Sequence, residues 1–322
     1  MTVIHTHEIT LYQGGSPNLV LRPLCDADLP LLCRWCADPE VLYWTEGGPD
    51  QPLSYGPETV RRIYGGVSAQ AHCFVVEAAG APIGECWLQR MNLPEVRAMY
   101  PAGTDVRRID MAIGEKTCWG RGLGTRMIGM LVDFAFCGEG VDVLHCFCED
   151  YNLRSRRVWE KNGFSLARVD PLPQPQKGQA QLHFVLTRQA YLAGRRFVPP
   201  ADQVRDLTLT TLTPSQLYIS AGKLALVDSW CFGAAQMDPL PYIQLDGVNL
   251  LTDGHTRAVW AHLHGETKVP CYPDPDPLDR AAYAQDLAWC RQEGVLSIEA
   301  LAGRIVSHKD YERLWRKRCM EK

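Results

Sequence analysis

The stretch RIDMAIGEKTCWGRGLGTRMIGMLVDFAF, residues 108–136, decides the fold of the first half of the chain. It predicts a strand, then the glycine-rich turn WGRGLGT, then an amphipathic helix with apolar residues at helical spacing. Alternating glycines let the backbone approach a ligand and point successive N–H groups into one concavity. Because the turn opens a helix, that concavity favours phosphate oxygens. The stretch therefore predicts an anion-binding turn.

The neighbouring segments argue against a dinucleotide-binding fold, which would place such a turn after its first strand, with an acidic residue about 20 residues further on. Here the turn follows several strands. Strands are predicted at residues 19–25, 73–77, 83–88, 108–113, 141–148 and 182–186, and helices follow residue 26 and cover 58–64 and 154–161. This alternation predicts a mixed α/β fold.

A second motif follows the helix, DYNLRSRRVWEKNGF at residues 150–164. The two segments together resemble motifs A and B of the GNAT superfamily of acetyl-CoA-dependent N-acyltransferases. Motif A, Arg/Gln-x-x-Gly-x-Gly/Ala, is matched at Gly122 and Gly124, with Trp119 in place of Arg or Gln. Motif B, Asn-x-x-Ser/Ala…Tyr-Glu-Lys-x-Gly-Phe, is matched at Asn152, Ser155, Glu160, Lys161, Gly163 and Phe164.

This resemblance implies a GNAT domain over residues 1–194, with a mixed central sheet flanked by helices and acetyl-CoA as the acyl donor. The backbone amides of the turn would hold the coenzyme A pyrophosphate. The residues implied in coenzyme binding are Met111, Ile113, Trp119, Gly120, Arg121, Gly122, Leu123, Gly124, Thr125, Asn152, Ser155 and Lys161.

Within the superfamily, the strongest likeness is to aminoglycoside 6'-N-acetyltransferases, carried by VRRIDMAI at residues 106–113, by NLRSRRVWEKNGF and by LTRQAYL at residues 186–192. It implies direct attack by a primary amine of a cationic aminosugar within a ternary complex. Related N-acyltransferases of lysine or siderophore precursors share parts of the pattern. A protein or metabolite amine is therefore the alternative acceptor.

Asp110 matches the catalytic aspartate of this subgroup, and a carboxylate there could take the proton of the ammonium, directly or through water. The alternative is a surface ion pair with Arg107 or Arg108 on an edge strand. Trp159 replaces the tyrosine whose hydroxyl meets the departing sulfur in the family. An indole is not a useful general acid.

Three consequences of this tryptophan stay open. The thiolate leaves unprotonated, Tyr151 takes over as the acid, or the protein binds acyl-CoA without turnover and serves as an interaction protein.

The family places acceptor-binding residues in the loop after the first helix, where Trp44, Glu46 and Asp50 lie. Glu85, Glu95 and Asp105 are further acidic candidates. The alternative is that these are ordinary solvated loop acids.

The second half begins after a proline-containing linker, residues 195–206. Residues 207–322 resemble the ParB/sulfiredoxin fold with a helical C-terminal tail, through DGHTR at residues 253–257 and Val269-Pro270. That resemblance implies a nucleotide phosphate site at Gly254, His255 and Arg257. The alternative is a helix cap with Arg257 buried against an acid. DGHTR lacks a cysteine, which argues against sulfiredoxin chemistry.

Composition narrows the class of protein. The 322 residues are 46% hydrophobic and 22% charged, which suits two globular domains. The net charge of −4 makes nucleic-acid binding through bulk electrostatics unlikely as a function. The sequence contains no apolar run of membrane-spanning length and no signal peptide, so no membrane partner is expected and the cytoplasm is the expected compartment.

Thirteen cysteines are scattered through mostly apolar segments. Cys33 and Cys36 form a CxxC, but they lie in a helical pattern without a second pair at zinc spacing. We therefore expect buried thiols and no metal site.

Overall fold

The computed structural model describes residues 3–46, 54–173, 177–194 and 199–321. The chain divides into two compact units. The first comprises Met1–Phe136 and Val141–Gly194, and the second Cys137–Gly140 and Arg195–Lys322. Residues 195–198 of the predicted linker lie outside the described residues, and a strand of the second unit already begins at Arg205.

The first unit contains eight strands among the described residues. They are β1 (Leu11–Gln13), β2 (Leu19–Pro23), β3 (Ala71–Ala78), β4 (Ala81–Arg90), β5 (Val106–Ile113), β6 (Val143–Glu149), β7 (Ser165–Pro171) and β8 (Ala180–Thr187). Its helices are α1 (Leu29–Trp35), α2 (Pro39–Thr45), α3 (Pro57–Ser68), α4 (Pro94–Arg97), α5 (Leu123–Asp133), α6 (Leu153–Lys161) and α7 (Arg188–Gly194).

The strands form one sheet in the order β1-β2-β3-β4-β5-β6-β8-β7. Neighbours are antiparallel except β5 and β6, which are parallel and pair only at Val106 with Val143 and Arg107 with Leu144. Beyond these pairs the ladder ends, and the N–H of Ile109 donates instead to the Cys146 sulfur at 3.4 Å. The two strands therefore separate toward their carboxyl ends, which opens a cleft in the middle of the sheet.

The turn between β5 and α5 is anchored to α1. Gly114 packs so closely on Trp35 that a Cβ would lie 2.1 Å from the indole ring. The Trp35 indole N–H donates to the Glu115 carboxylate at 2.8 Å, and Arg34 donates to the same oxygen. Glycine is therefore required at position 114, and this contact fixes where the glycine-rich turn leaves the sheet.

The predicted strands and helices of this unit are present, while β1, β7, α2, α4 and α7 were not predicted. The segment of β7 is mostly exposed, so it lacks the buried apolar alternation that signals a strand. The helix predicted to reach residue 136 ends as an α-helix at Asp133 and continues as a wider turn from Phe134 to Gly138.

In the second unit the strands are β9 (Arg205–Thr208), β10 (Leu212–Thr213), β11 (Ile219–Ser220), β12 (Leu240–Leu245), β13 (Val248–Leu251), β14 (Lys268–Pro273) and β15 (Ile305–Val306). The helices are α8 (Ala221–Asp228), α9 (His255–Leu263), α10 (Arg280–Gln292), α11 (Ile298–Ala302) and α12 (His308–Tyr311). Five strands form a sheet in the order β10-β13-β12-β14-β9.

The turn dipeptide Asp246-Gly247 joins β12 to β13 with φ of +48° and +77°, as the sequence predicts for a tight hairpin. All thirteen cysteines are free; eight are buried, as predicted for packing thiols, and the other five are half-buried. Among the described residues, no helix combines the length and the apolar character that crossing a membrane requires.

Candidate active site

The cleft between β5 and β6 is a cavity of about 720 Å³ in the first unit. One side is formed by β5 from Arg108 onward and the other by the end of β6. The start of α5, the start and inner face of α6 and the end of α2 complete the wall. The separation of the two parallel strands therefore creates the space, and the motif residues surround it.

Gly122 lies at the N-terminus of α5 with φ of +77°, a backbone conformation that residues with a side chain rarely adopt. A Cβ built there meets no atom within 4 Å, so the backbone of the turn is open. The first turn of an α-helix leaves its N–H groups without intrahelical partners, and residues 122–125 of this turn line the cavity. Of the predicted coenzyme residues, the cavity is lined by Met111, Ile113, Trp119, Gly120, Gly122, Leu123, Gly124, Thr125, Asn152, Ser155 and Lys161. The turn therefore fits a coenzyme pyrophosphate.

Arg121 is exposed and does not line the cavity, unlike the other predicted coenzyme residues. The reason is its place between two glycines with positive φ, Gly120 at +72° and Gly122 at +77°, which turn its side chain to solvent.

Trp119, the departure from motif A, has a structural role that the sequence did not indicate. Its indole N–H donates to the carbonyl of Ile113 at 2.7 Å, which ties the turn to the end of β5. The guanidinium of Arg154 lies 4.9 Å from the Trp119 ring and 4.6 Å from the Trp44 ring. Arg154 is thus held between two indoles at the cavity wall.

Asp110 lies on β5, an inner strand, and lines the cavity. Its Oδ2 accepts from the Trp87 indole N–H at 2.8 Å and from Arg108 Nε at 2.7 Å, and its Oδ1 accepts from Arg108 Nη2 at 2.5 Å. The two sequence alternatives therefore coexist: Asp110 forms an ion pair with Arg108 and also faces the cavity. Arg107 pairs with Asp105 instead.

Trp159 and Tyr151 both line the cavity, but their polar atoms differ. Trp159 is 2% exposed, and its indole nitrogen is buried with no hydrogen-bond partner among the described residues. The Tyr151 hydroxyl donates to the carbonyl of Tyr43 at 2.8 Å. Burial and the nearby Glu149 carboxylate raise the pKa of Tyr151. Tyr151 is therefore a poor proton donor as it stands.

The acceptor end of the cavity includes Trp44 and Glu46, as predicted. The carbonyl of Trp44 accepts from the Asn152 amide at 2.9 Å, and its ring stacks on Tyr151 at 5.9 Å. Asp50, the third predicted acceptor residue, lies outside the described residues.

The further acidic candidates do not line this cavity. Glu85 is 4% exposed, and burial raises its pKa well above the usual range. Glu95 is exposed, and Asp105 pairs with Arg107.

Sequence reasoning missed several cavity residues, namely Arg108, Phe147, Glu149, Arg154, Arg157 and Gln181. Phe147 and Glu149 lie two residues apart at the end of β6. Glu149 is the charged residue that ends this mostly apolar strand. That glutamate was the available signal, since a carboxylate at the end of an inner strand marks the edge where sites form.

In the second unit, the three predicted phosphate ligands are engaged in packing. His255 is 6% exposed, and its Nε2 accepts from the backbone N–H of Ser215 at 3.0 Å. Burial lowers the pKa of His255 to about 4, so the imidazole is neutral. Arg257 donates to the carbonyl of Asp238 at 2.9 Å, and a Cβ at Gly254 would lie 2.7 Å from Leu240. The structure favours the helix-cap alternative.

Comparison with known proteins supports the sequence motifs. Residues 18–165 match the acetyltransferase (GNAT) domain family. The chain is 27% identical over 192 residues to the aminoglycoside N(6')-acetyltransferase type 1 of Serratia marcescens, covering 58% of this chain and 92% of that protein. It is 34% identical over 86 residues to the kanamycin resistance protein of Rhizobium radiobacter, covering 27% of this chain and 76% of that protein.

A solved aminoglycoside acetyltransferase AAC(6')-Ib in complex with coenzyme A is 27% identical, covering 55% of this chain and 99% of that one, with a TM-score of 0.44. None of these matches extends over the whole chain. The family match, residues 18–165, lies in the unit that carries the cavity. Through this N-terminal unit the chain belongs to the GNAT acetyltransferase family, whose acyl donor is acetyl-CoA.

Proposed function

We propose that the first unit transfers the acetyl group of acetyl-CoA to a primary amine of an aminoglycoside-like cationic small molecule. The observation that carries this proposal is one cavity that joins an open helix N-terminus at Gly122 to the carboxylates of Asp110, Glu46 and Glu149. The helix end suits the phosphates of the donor, and the carboxylates suit a cationic acceptor. The aminoglycoside acetyltransferase relatives support this choice of acceptor over a protein amine.

The donor would bind along the turn and α6. The amides that follow Gly122 would hold the pyrophosphate, and Lys161, exposed at the end of α6, adds positive charge. Asn152 caps α6 through its side-chain oxygen, which accepts from the Ser155 N–H at 3.1 Å, so these two residues position the helix. Bound acetyl-CoA supplies an activated acyl group, and holding it beside the amine provides much of the rate acceleration.

Asp110 would take the proton that the attacking amine loses. A carboxylate can accept about four hydrogen bonds, and Trp87 and Arg108 supply three here. These donors fix the direction of the carboxylate while one acceptor position remains. The same charge would attract the ammonium form of the acceptor before proton transfer.

Trp159 would assist the leaving group without giving up a proton. Its buried indole N–H has no partner among the described residues, so it is free to donate a hydrogen bond to the departing sulfur. A thiol pKa near ~8.5 makes the thiolate a fair leaving group. Because the Tyr151 hydroxyl is already engaged, we favour departure as the thiolate.

The test is thiol release from acetyl-CoA, measured with the full chain against aminoglycosides, polyamines and lysine peptides. We expect turnover with an aminoglycoside. Turnover confined to peptides or small metabolites would show that the acceptor belongs to one of those classes and is not an aminoglycoside. Tight acetyl-CoA binding with no thiol release from any amine would identify a binding protein and contradict the proposal.

Two variants test the roles proposed for the carboxylates of Asp110 and Glu46. Asp110→Asn should lower kcat by about a hundredfold or more, the usual effect of losing a general base. Glu46→Gln should raise the KM of a cationic acceptor with little change in kcat, because it removes charge from the acceptor end only. Equal kinetics of Asp110→Asn and wild type would exclude Asp110 as the base.

For the second unit, the ParB/sulfiredoxin likeness and its nucleotide site stay predictions that rest on the sequence. The cytoplasm likewise stays the predicted compartment, in keeping with thirteen free cysteines.

A further inference from the structure

The ammonium of Lys177 contacts two residues that line the acceptor end of the cavity, Glu46 and Tyr151. Lys177 Nζ donates to the carbonyl oxygen of Tyr43 at 2.8 Å and to that of Glu46. It lies 4.7 Å from the centroid of the Tyr43 ring and 5.1 Å from that of the Tyr151 ring. Carbonyl oxygens and aromatic faces both attract an ammonium. We call these groups, the carbonyls of Tyr43 and Glu46 and the rings of Tyr43 and Tyr151, the ammonium cage.

Charge favours a cation in this cage. The carboxylates of Glu149 and Glu46 attract the ammonium and act against the burial that lowers the pKa of Lys177. A neutral group would lose both this attraction and the cation–π contacts. The cage therefore discriminates by charge.

The position of Lys177 is fixed by its neighbours in the chain. At Gly178 a Cβ would lie 2.7 Å from Glu149 Oε2 and 2.9 Å from Asp150 Oδ1. The next N–H, that of Gln179, donates to Asp150 Oδ1 at 2.9 Å. These contacts hold the chain against the end of β6 and place Lys177 at the cage.

The cage borders the cavity. Glu46 and Tyr151 of the cage line it, as does Glu149, whereas Tyr43 does not, and Trp44 stacks on Tyr151. An amine acceptor in the cavity would therefore lie beside the groups that already hold one ammonium.

We propose that the ammonium cage is a second cation subsite for the acceptor, and that Lys177 fills it in place of an ammonium group of the ligand. This inference rests on the proposed function of the same cavity. In the wild type, Lys177 occupies this subsite, so the chain favours acceptors with one ammonium group at this end of the cavity. When Lys177 is removed, the subsite can take a second ammonium group of the acceptor.

The kinetic test compares monoamines with the matching α,ω-diamines in the wild type and in Lys177→Met, which keeps the length of the side chain and removes its charge. We expect the KM of the diamines to fall roughly tenfold in the variant, the value of a partly buried cation contact. The KM of the monoamines should stay unchanged. Lys177→Arg keeps the charge and should behave as the wild type. An equal change for both amine classes, or none, would overturn the proposal.

A binding test separates this inference from the proposed function. Without acetyl-CoA, methylammonium chloride should raise the Tm of Lys177→Met above the effect of equal sodium chloride, and should not do so for the wild type. Selective stabilisation supports the cage even if no amine is acetylated. Equal or absent stabilisation of the two proteins shows that the cage does not take an external ammonium.

Discussion

Two helices of this protein begin at a glycine with nearly the same backbone conformation. Gly122 precedes α5 with φ of +77°, and Gly254 precedes α9 with φ of +79°. The sequence predicts a phosphate site at both. A Cβ at Gly122 meets no atom within 4 Å, whereas at Gly254 it would lie 2.7 Å from Leu240 and 2.9 Å from Arg257. The same turn is thus open in one unit and filled in the other.

The difference lies in what surrounds each turn. Beside Gly122, β5 and β6 separate after two residue pairs and leave a cavity. Beside Gly254, the side chain of Arg257 folds back to the carbonyl of Asp238. A left-handed glycine therefore predicts where a helix starts, while the neighbouring strands decide whether its N–H groups reach a ligand.

The largest expected effect on stability comes from adding a methyl group at Gly254, in the filled turn. Gly254→Ala combines a left-handed backbone strain with a steric clash and should lower the free energy of unfolding by about 4 kcal/mol. Gly122→Ala carries the backbone strain alone and should cost about 1 kcal/mol. Urea unfolding of both variants measures the two values.

The two variants should have the opposite order of effects on coenzyme binding. Gly122→Ala should weaken coenzyme A binding in calorimetry, because strain reorients the amides of the turn, and Gly254→Ala should leave it unchanged. Similar losses of stability for both variants would break the distinction between the open and the filled turn.

The next effect concerns the imidazole that follows Gly254. Burial lowers the pKa of His255 from the model-compound value of 6.5 to about 4. Between these pH values the unfolded chain binds more protons than the folded chain. Neutral His255 therefore makes its full contribution to the free energy of unfolding above pH 6.5. This contribution, up to about 3 kcal/mol, is lost as the pH falls to about 4.

His255→Gln is the matched control for that prediction, since its amide oxygen can accept from the Ser215 N–H and does not titrate. Unfolding measured from pH 7 to 4 should be less pH-dependent in this variant. His145 of the first unit also has a pKa lowered to about 4 by burial, so a smaller dependence will remain. Parallel curves for the variant and the wild type would show that His255 does not control acid stability.

The sequence predicts a large part of the fold, because glycines, strand patterns and two motifs act locally. It places the strand, turn and helix around Gly122 and brings Asp110, Trp159 and Trp44 into one cavity. The early separation of β5 from β6 is a property of the sheet and has no local signal. The ion pair of Asp110 with Arg108, in contrast, was one of the two sequence alternatives, because both residues lie on the same strand.

Non-local contacts also decide which partners the polar residues of the motifs have. DGHTR has polar residues suited to phosphate, yet Ser215, far away in the sequence, engages His255. Trp119, which replaces the Arg or Gln of motif A, lines the cavity and donates its indole N–H to the carbonyl of Ile113. In both cases the polar group of the side chain has a partner in another part of the protein.

The smallest expected effect tests the open turn itself. Arg121 lies within the glycine motif, so the sequence predicts a coenzyme contact, but its side chain is exposed and outside the cavity lining. Exposed charges separated from a ligand by solvent contribute little. Arg121→Ala should therefore change the Kd of coenzyme A by less than about twofold, whereas Lys161→Ala, which removes a cavity-lining charge, should weaken binding several-fold. A larger loss for Arg121→Ala would mean that Arg121 reaches the bound phosphates, and that the turn holds its ligand by side chains as well as by its backbone.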